Sequence, residues 1–150
     1  MSLQDKVMVE MKAAMRAKDS TKLEALRAVK SAILLANTDS NSKDGLSEDE
    51  ELKLLQKLVK QRKESAAIYR EQGREDLAEP EEKQAEVIEG FLPEQMSESE
   101  IEAKIEEVIQ KTGANGMQDM GKVMGMASKE LAGRADGKTI SSIVKSKLSK

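Results

Sequence analysis

Residues 92–100 read Leu-Pro-Glu-Gln-Met-Ser-Glu-Ser-Glu, and this stretch organises the chain because it separates two helical lobes. A residue before proline avoids helical geometry, so the proline ends the helix that precedes it. Ser97 and Glu100 have the spacing of a capping box, in which each side chain bonds the other residue's backbone N–H. A new helix therefore starts there, and we predict an N-terminal lobe over residues 1–92 and a C-terminal lobe over residues 93–150.

Apolar residues recur every three or four positions on both sides of this boundary, a pattern typical of amphipathic helices. No stretch shows the two-residue alternation of a β-strand. We therefore predict an all-α fold, with four helices in the N-terminal lobe and three in the C-terminal lobe. The expected helices cover about residues 2–18, 20–37, 47–72, 75–91, 97–112, 120–131 and 136–148, with a loop over 38–46.

Six of the seven predicted helices carry an apolar face that we expect to be buried. In the N-terminal lobe these residues are Leu3, Val7, Met11, Met15, Leu23, Leu26, Ile33, Leu34, Leu52, Leu55, Leu58, Val59, Ala66 and Tyr69. In the C-terminal lobe they are Ile101, Ile105, Val108, Ile109, Met120, Val123, Met124, Ala127, Leu131, Ile140, Ile143, Val144 and Leu148. Pro80 leaves two alternatives for the fourth helix, which either begins close to the proline or is kinked by it.

The composition argues against catalysis by the chain alone. It contains no Cys and no His, which removes thiolate ligands, the commonest metal ligand and the commonest general base. No carboxylate cluster or nucleophile motif stands out, so we expect no catalytic residue, no metal and no cofactor. The aromatic residues are Tyr69 and Phe91, which provide no platform for stacking exposed bases.

The first residues are amphipathic and do not resemble a signal peptide. The longest apolar run is also far below the roughly 20 residues of a membrane helix. We therefore expect a cytoplasmic protein that does not enter a membrane.

Charge is distributed unevenly along the chain. Residues 74–110 contain thirteen acidic and three basic residues, whereas residues 113–150 contain seven basic and three acidic residues. A solvated helix surface accounts for the acidic stretch. The basic residues of the tail cluster around glycines, which leaves a solvated surface and an anion-binding surface both open.

In the sixth helix four small residues follow one narrow line, the small-residue stripe: Gly121, Gly125, Ser128 and Ala132. Tight packing against the seventh helix is one interpretation, and a shallow groove for a phosphate backbone is the other. Asp136-Gly-Lys138 starts the seventh helix, where free N–H groups could bind an anion, although the aspartate competes for them as a cap.

Two basic residues of the N-terminal lobe, Lys30 and Arg62, fall inside apolar faces. Their side chains either extend to the rim of the core or pair with a neighbouring helix, and a ligand contact is the less favoured alternative.

Several motifs in order resemble the GatB/YqeY family, and the closest likeness is to its free-standing YqeY-like members. The C-terminal motifs are Leu92-Pro-Glu-Gln-Met-Ser-Glu98, Asp119-Met-Gly-Lys-Val-Met-Gly125 and Gly133-Arg-Ala-Asp-Gly-Lys138. The N-terminal ones are Leu26-Arg-Ala-Val-Lys30 and Gln61-Arg-Lys-Glu-Ser65. The resemblance therefore covers nearly the whole chain.

This resemblance implies a four-helix lobe followed by a three-helix lobe. It also implies kinship to the tail of the B subunit of the glutamine-dependent tRNA amidotransferase, a tail that helps to recognise tRNA. The positions that match the basic and glycine positions of that tail are Lys122, Gly125, Arg134, Gly137 and Lys138. The catalytic core of the amidotransferase is absent, so a label of carbon–nitrogen ligase with glutamine as amido donor would be inherited from the larger enzyme.

Our leading hypothesis is a non-catalytic module that binds tRNA or associates with an amidotransferase or another aminoacyl-tRNA-related enzyme. The alternatives are a protein-interaction adaptor with no RNA ligand and direct participation in amide transfer. In the leading hypothesis the phosphate contacts are Lys122, Lys129, Arg134 and Lys138, and the glycines that permit close approach are Gly121, Gly125 and Gly137.

Overall fold

The structure, a computed structural model, describes residues 2–39 and 45–149. These residues form seven α-helices and contain no β-strand, which confirms the all-α prediction. The helices are α1 (Leu3–Ala17), α2 (Ser20–Asp39), α3 (Glu48–Glu71), α4 (Glu75–Glu89), α5 (Glu98–Thr112), α6 (Met120–Glu130) and α7 (Gly137–Leu148), with a 3-10 turn at Met117–Asp119 before α6.

The chain divides into two compact units, an N-terminal unit (Met1–Leu92) and a C-terminal unit (Pro93–Lys150). In the N-terminal unit α3 packs along α4, while α2 packs against both α1 and α4. Its buried core is built from Val7, Met11, Ala14, Ala25, Leu26, Val29, Ile33, Leu55, Val59, Ala85 and Ile88.

Two residues predicted for this core are exposed. Met15 is 52% exposed and Leu34 is 49% exposed. On α1 the buried positions are Val7, Met11 and Ala14, so Met15 lies just outside the arc that faces α2. The prediction was wrong because apolar periodicity defines a broad face, whereas packing against one neighbouring helix buries only part of it.

Helix termini follow the polar signals in the sequence. Ser97 and Glu100 form the complete capping box at α5. At α3 the Ser47 hydroxyl accepts a hydrogen bond from the Glu50 N–H at 3.2 Å, but the Glu50 carboxylate receives the hydroxyl of Ser47 and not its N–H. Gly73, with a φ of 72°, follows the end of α3, since this left-handed conformation suits glycine.

The end of α2 extends beyond the expected boundary, whereas α4 starts at the expected residue. α2 continues to Asp39, and the rest of the predicted loop lies partly outside the described residues. α4 begins at Glu75 and carries Pro80 in its interior, so the helix does not begin at the proline.

In the C-terminal unit α5, α6 and α7 pack against one another around a single apolar cluster. Its buried members are Ile101, Ile105, Val108, Val123, Ala127, Leu131, Ala135, Ile140, Val144 and Leu148. The segment before α5 is tied to the loop between α6 and α7, because the Met96 N–H donates to the Arg134 carbonyl at 2.9 Å and Gln95 Nε2 donates to the Gly133 carbonyl at 2.6 Å.

Candidate nucleic-acid interface

The outer face of α6 combines glycines with lysines. Val123 and Ala127 are buried on its inner face, whereas Gly121, Lys122, Gly125, Ser128 and Lys129 are exposed. A Cβ atom built at Gly121 or Gly125 would meet no atom within 4 Å. These two glycines therefore face open space, and the interpretation that the small-residue stripe packs tightly against the seventh helix is wrong.

α7 presents a second lysine pair. Ile140, Val144 and Leu148 are buried on one side of this helix, while Lys138 and Lys145 are exposed. The two lysines are seven residues apart, which is close to two helical turns, so they share one face about 10 Å apart along the axis.

The N-terminus of α7 is already capped by its own aspartate. The Asp136 side chain accepts from the Lys138 N–H at 3.5 Å. Gly137 is exposed, and a Cβ there would meet no atom within 4 Å. The surface around Gly137 is thus open to a large ligand, but one of the amides that could bind an anion is engaged by the cap.

The acidic helix α5 pairs with one group of lysines. Lys147 of α7 lies 2.5 Å from a Glu106 oxygen and 3.1 Å from a Glu102 oxygen. Lys111 lies 3.1 Å from Glu107. The hydrogen bonds that Lys147 donates to Glu106 and Glu102 raise the pKa of Lys147. The hydrogen bond that Lys111 donates to Glu107, together with the charge of Lys104, lowers the pKa of Glu107.

Four other lysines of the unit have no ion-pair partner among the described residues. Over the described part of the chain, no ion pair involves the four lysines that we call the free lysines: Lys122, Lys129, Lys138 and Lys145. Residues 93–150 contain nine acidic and nine basic residues, so the unit has no net charge. Its positive charge is nevertheless segregated, because α5 carries most of the acids while α6 and α7 carry the free lysines.

Arg134, predicted as a phosphate contact, has a partner within the protein. Its side chain is half-buried, and Nε donates to the Glu94 carbonyl at 3.1 Å. The same residue's carbonyl accepts from the Met96 N–H. The geometry gives Arg134 a bracing role on the segment before α5, and its phosphate contact stays a prediction.

Lys145, which the sequence did not single out, is exposed and shares a face of α7 with Lys138. Its seven-residue spacing from Lys138 was the available signal. The distinction between Lys145 and Lys147 could not be drawn from the sequence, because both are lysines on the same helix and only the packing of α5 separates them.

Asp119, the first residue of the motif Asp119–Gly125, stabilises the turn that precedes α6. Its carboxylate accepts from the Asn115 N–H at 2.9 Å and so holds the turn that leads into α6. This contact orients the helix that carries Lys122 and Lys129.

In the N-terminal unit, Arg62 is held between two helices. Its Nε donates to Gln84 Oε1 at 3.2 Å, and Nη1 donates to the Leu58 carbonyl at 3.1 Å. These two hydrogen bonds account for the position of the Arg62 guanidinium at the edge of an apolar face, and no ligand is needed to explain it. Lys30 is half-buried on α2, and its role stays open.

In residues 2–39 and 45–149, no cluster of three or more acidic side chains is placed to hold a metal ion. None of the helices described there is both long and apolar enough to span a membrane.

Known proteins resemble this chain in sequence. The family model described as Yqey-like protein matches residues 4–148. The protein named altered inheritance of mitochondria protein 41, mitochondrial, from Pyrenophora tritici-repentis is 30% identical over 87% of this chain and 71% of its own length. The protein of the same name from Clavispora lusitaniae is 34% identical over 71% of this chain and 62% of its own length.

A further relative is named as an amidotransferase subunit. One subunit of the glutamyl-tRNA(Gln) amidotransferase from Thermococcus gammatolerans is 42% identical over 73 residues, which make up 46% of this chain and 12% of that protein. This match relates the chain to an amidotransferase component. The family model covers nearly the entire sequence, and the chain belongs to the Yqey-like protein family.

Proposed function

We propose that this protein is a non-catalytic module that binds tRNA through the exposed surfaces of α6 and α7. The observation that carries the proposal is the separation between paired and free lysines. Lys104, Lys111 and Lys147 neutralise the acids of α5 and α6, whereas the four free lysines lie on solvent-exposed faces. A lysine side chain that forms no ion pair within the protein can interact with the phosphates of a polyanion through its full charge.

The surface suits recognition of an RNA backbone better than recognition of bases. Lysine ammonium groups bind phosphates, and the exposed glycines of α6 allow a backbone to approach closely. The C-terminal unit contains no aromatic side chain, so stacking on splayed bases does not contribute. A folded RNA, recognised by shape and phosphates, is therefore the expected ligand.

The strength of binding follows from the number of contacts. Four lysine–phosphate contacts give a slope of roughly −3 to −4 for log affinity against log salt concentration. Such a slope implies modest affinity at physiological salt. An aminoacyl-tRNA-related enzyme as a protein partner would raise the occupancy of the complex.

The association with tRNA amidation rests on the relationship to the amidotransferase component. Because the match spans 12% of that protein, the activity of the whole enzyme is not transferred to this chain. A cytoplasmic location stays a prediction, since the names of the fungal relatives refer to mitochondria.

The test is a titration with bulk tRNA at two salt concentrations, about 50 and 200 mM, a range over which phosphate contacts are strongly weakened. The double variant Lys122→Glu/Lys138→Glu should lose most of the affinity. The control Lys53→Glu/Lys57→Glu makes the same change in charge on exposed positions of α3 and should retain most of it. If the wild type does not bind at the lower salt concentration, or if both variants bind equally, the adaptor hypothesis replaces this one.

A further inference from the structure

The hairpin formed by α3 and α4 extends beyond the core of the N-terminal unit. On α3 the buried core cluster reaches no further than Val59, and on α4 it begins at Ala85. α3 continues to Glu71, twelve residues or about 18 Å beyond Val59. Residues 70–77 are all exposed, and the buried residues of this tip are the small pair Ala66 and Ala78.

One edge of the hairpin is closed by ion pairs. Lys63 of α3 lies 2.5 Å from Glu89 of α4. A step of seven residues along both helices leads from this pair to Arg70 and Glu82, which also form an ion pair. Arg70 is further bonded to Glu75 at 2.9 Å. The two antiparallel helices therefore keep a constant register along this edge.

The opposite edge ends in an apolar pair. Arg62 and Gln84 are hydrogen-bonded across the hairpin, and the same seven-residue step leads to Tyr69 on α3 and Leu77 on α4. The constant register places these two residues at the same level of the tip. Leu77 is 38% exposed and Tyr69 is half-buried, so this edge presents an apolar surface to solvent.

The tip is strongly acidic. Residues 64–83 contain seven acidic and three basic residues. The three basic residues all form ion pairs within the hairpin: Arg70 pairs with Glu75 and Glu82, Arg74 with Asp76, and Lys83 with Glu79. Across the described ranges, Glu71 and Glu81 take part in no ion pair.

We propose that this acidic tip is a docking surface for a lysine- or arginine-rich amphipathic helix of a partner protein. The apolar side of such a helix would cover Tyr69 and Leu77, and its basic residues would face Glu81, which lies one turn from Leu77 on α4. Glu71 would add to the negative charge at the end of the tip. This combination of apolar anchors with complementary charge is how amphipathic helices are recognised by grooves and helix pairs. The negative charge that attracts a basic helix repels RNA, so this surface is distinct from the tRNA-binding one.

The charge component is tested with a synthetic 14-residue helical peptide of leucine and lysine. Tyr69 is the only tyrosine and the chain has no tryptophan, so tyrosine fluorescence reports directly on this tip. The variant Glu71→Lys/Glu81→Lys should bind the peptide at least tenfold more weakly. The control Glu48→Lys/Asp49→Lys makes the same change on exposed residues at the other end of α3, about 33 Å away, and should bind within twofold of the wild type.

The apolar component needs a second comparison. Leu77→Gln should weaken binding several-fold, whereas Leu35→Gln, at a residue of α2 that is 65% exposed, should not. The proposal is overturned if binding does not saturate below about 1 mM peptide, a level at which association is nearly negligible. It is also overturned if both control variants weaken binding as much as the tip variants. Because the variants lie outside the C-terminal unit, a negative result here leaves the tRNA titration unaffected.

Discussion

Two lysines of α7 provide a sharp test of whether free lysines bind RNA. Lys145 and Lys147 are two residues apart on the same helix, and both are replaced by alanine with the same change in charge. Lys145 is exposed, whereas Lys147 is held by Glu102 and Glu106. We expect Lys145→Ala to weaken tRNA binding and Lys147→Ala to lower the stability of the C-terminal unit.

The expected size follows from counterion release. One lysine–phosphate contact contributes about 0.7 to 0.9 to the slope of log affinity against log salt concentration. At about 0.1 M salt this corresponds to roughly a five- to eightfold loss of affinity for each contact removed. Lys145→Ala should therefore reduce the magnitude of the slope by nearly one, while Lys147→Ala should leave the slope unchanged. Lys147→Ala leaves the carboxylates of Glu102 and Glu106 without their cation, so the midpoint of thermal unfolding of this variant should fall.

The assay is fluorescence anisotropy with labelled bulk tRNA at four salt concentrations, accompanied by thermal unfolding followed by circular dichroism. Equal reductions in slope for the two variants would show that ion pairing does not decide which lysines meet RNA. An unchanged slope in both variants would remove Lys145 from the interface.

Four further outcomes are expected. Gly121→Ala and Gly125→Ala should each stabilise the C-terminal unit by about 1 kcal/mol, because alanine favours a helix and the new Cβ meets no neighbour. Denaturant unfolding measures this gain in stability. If both variants bind tRNA with unchanged affinity, the RNA does not approach the helix closely at these glycines. Ser97→Ala should cost the unit about 1 kcal/mol through loss of the cap. Hydrogen bonds from Ser97 lower the pKa of Glu100, so the stability that the Ser97–Glu100 interaction contributes is present above the ordinary glutamate pKa and is lost as pH falls through the lowered value. Equal effects of Ser97→Ala on stability at pH 7 and at about pH 3 would contradict the argument. A fragment of residues 1–92 should fold by itself, and a disordered fragment by circular dichroism and NMR would show that the two units depend on each other. The purified protein should release no ammonia from glutamine, and release above background that a Ser or Lys substitution abolishes would establish catalysis.

Local signals in the sequence predicted most of the helical architecture. Ser97 with Glu100 marks the start of α5, and Gly113 with its φ of 68° marks the end. These features depend on residues within one turn, so no knowledge of the remaining fold is needed. Leu26 and Ile105 were placed correctly in the two cores because the middle of an apolar face is buried for almost any position of the neighbouring helix.

The margins of the apolar faces were less predictable. Met15 and Leu34 belong to apolar faces by their spacing, yet both are about half exposed. Which margin is covered depends on the direction from which the next helix approaches. That direction is a property of the packed unit and leaves no mark on the periodicity of one helix.

The sequence alone determined an all-α chain without histidine or cysteine and a basic tail rich in glycine, and it predicted a boundary at Pro93. Which charges remain available was decided by tertiary packing. Lys147 is neutralised by Glu106, 41 residues earlier in the chain, and Arg134 is bonded to the Glu94 carbonyl, 40 residues earlier. Such contacts form only when α5 and α7 lie side by side. The composition of the chain therefore does not distinguish lysines that form ion pairs from lysines that do not. The exposed glycines of α6 have the same origin, because a line of small residues is compatible with a buried interface or an open surface until the neighbouring helix is in place.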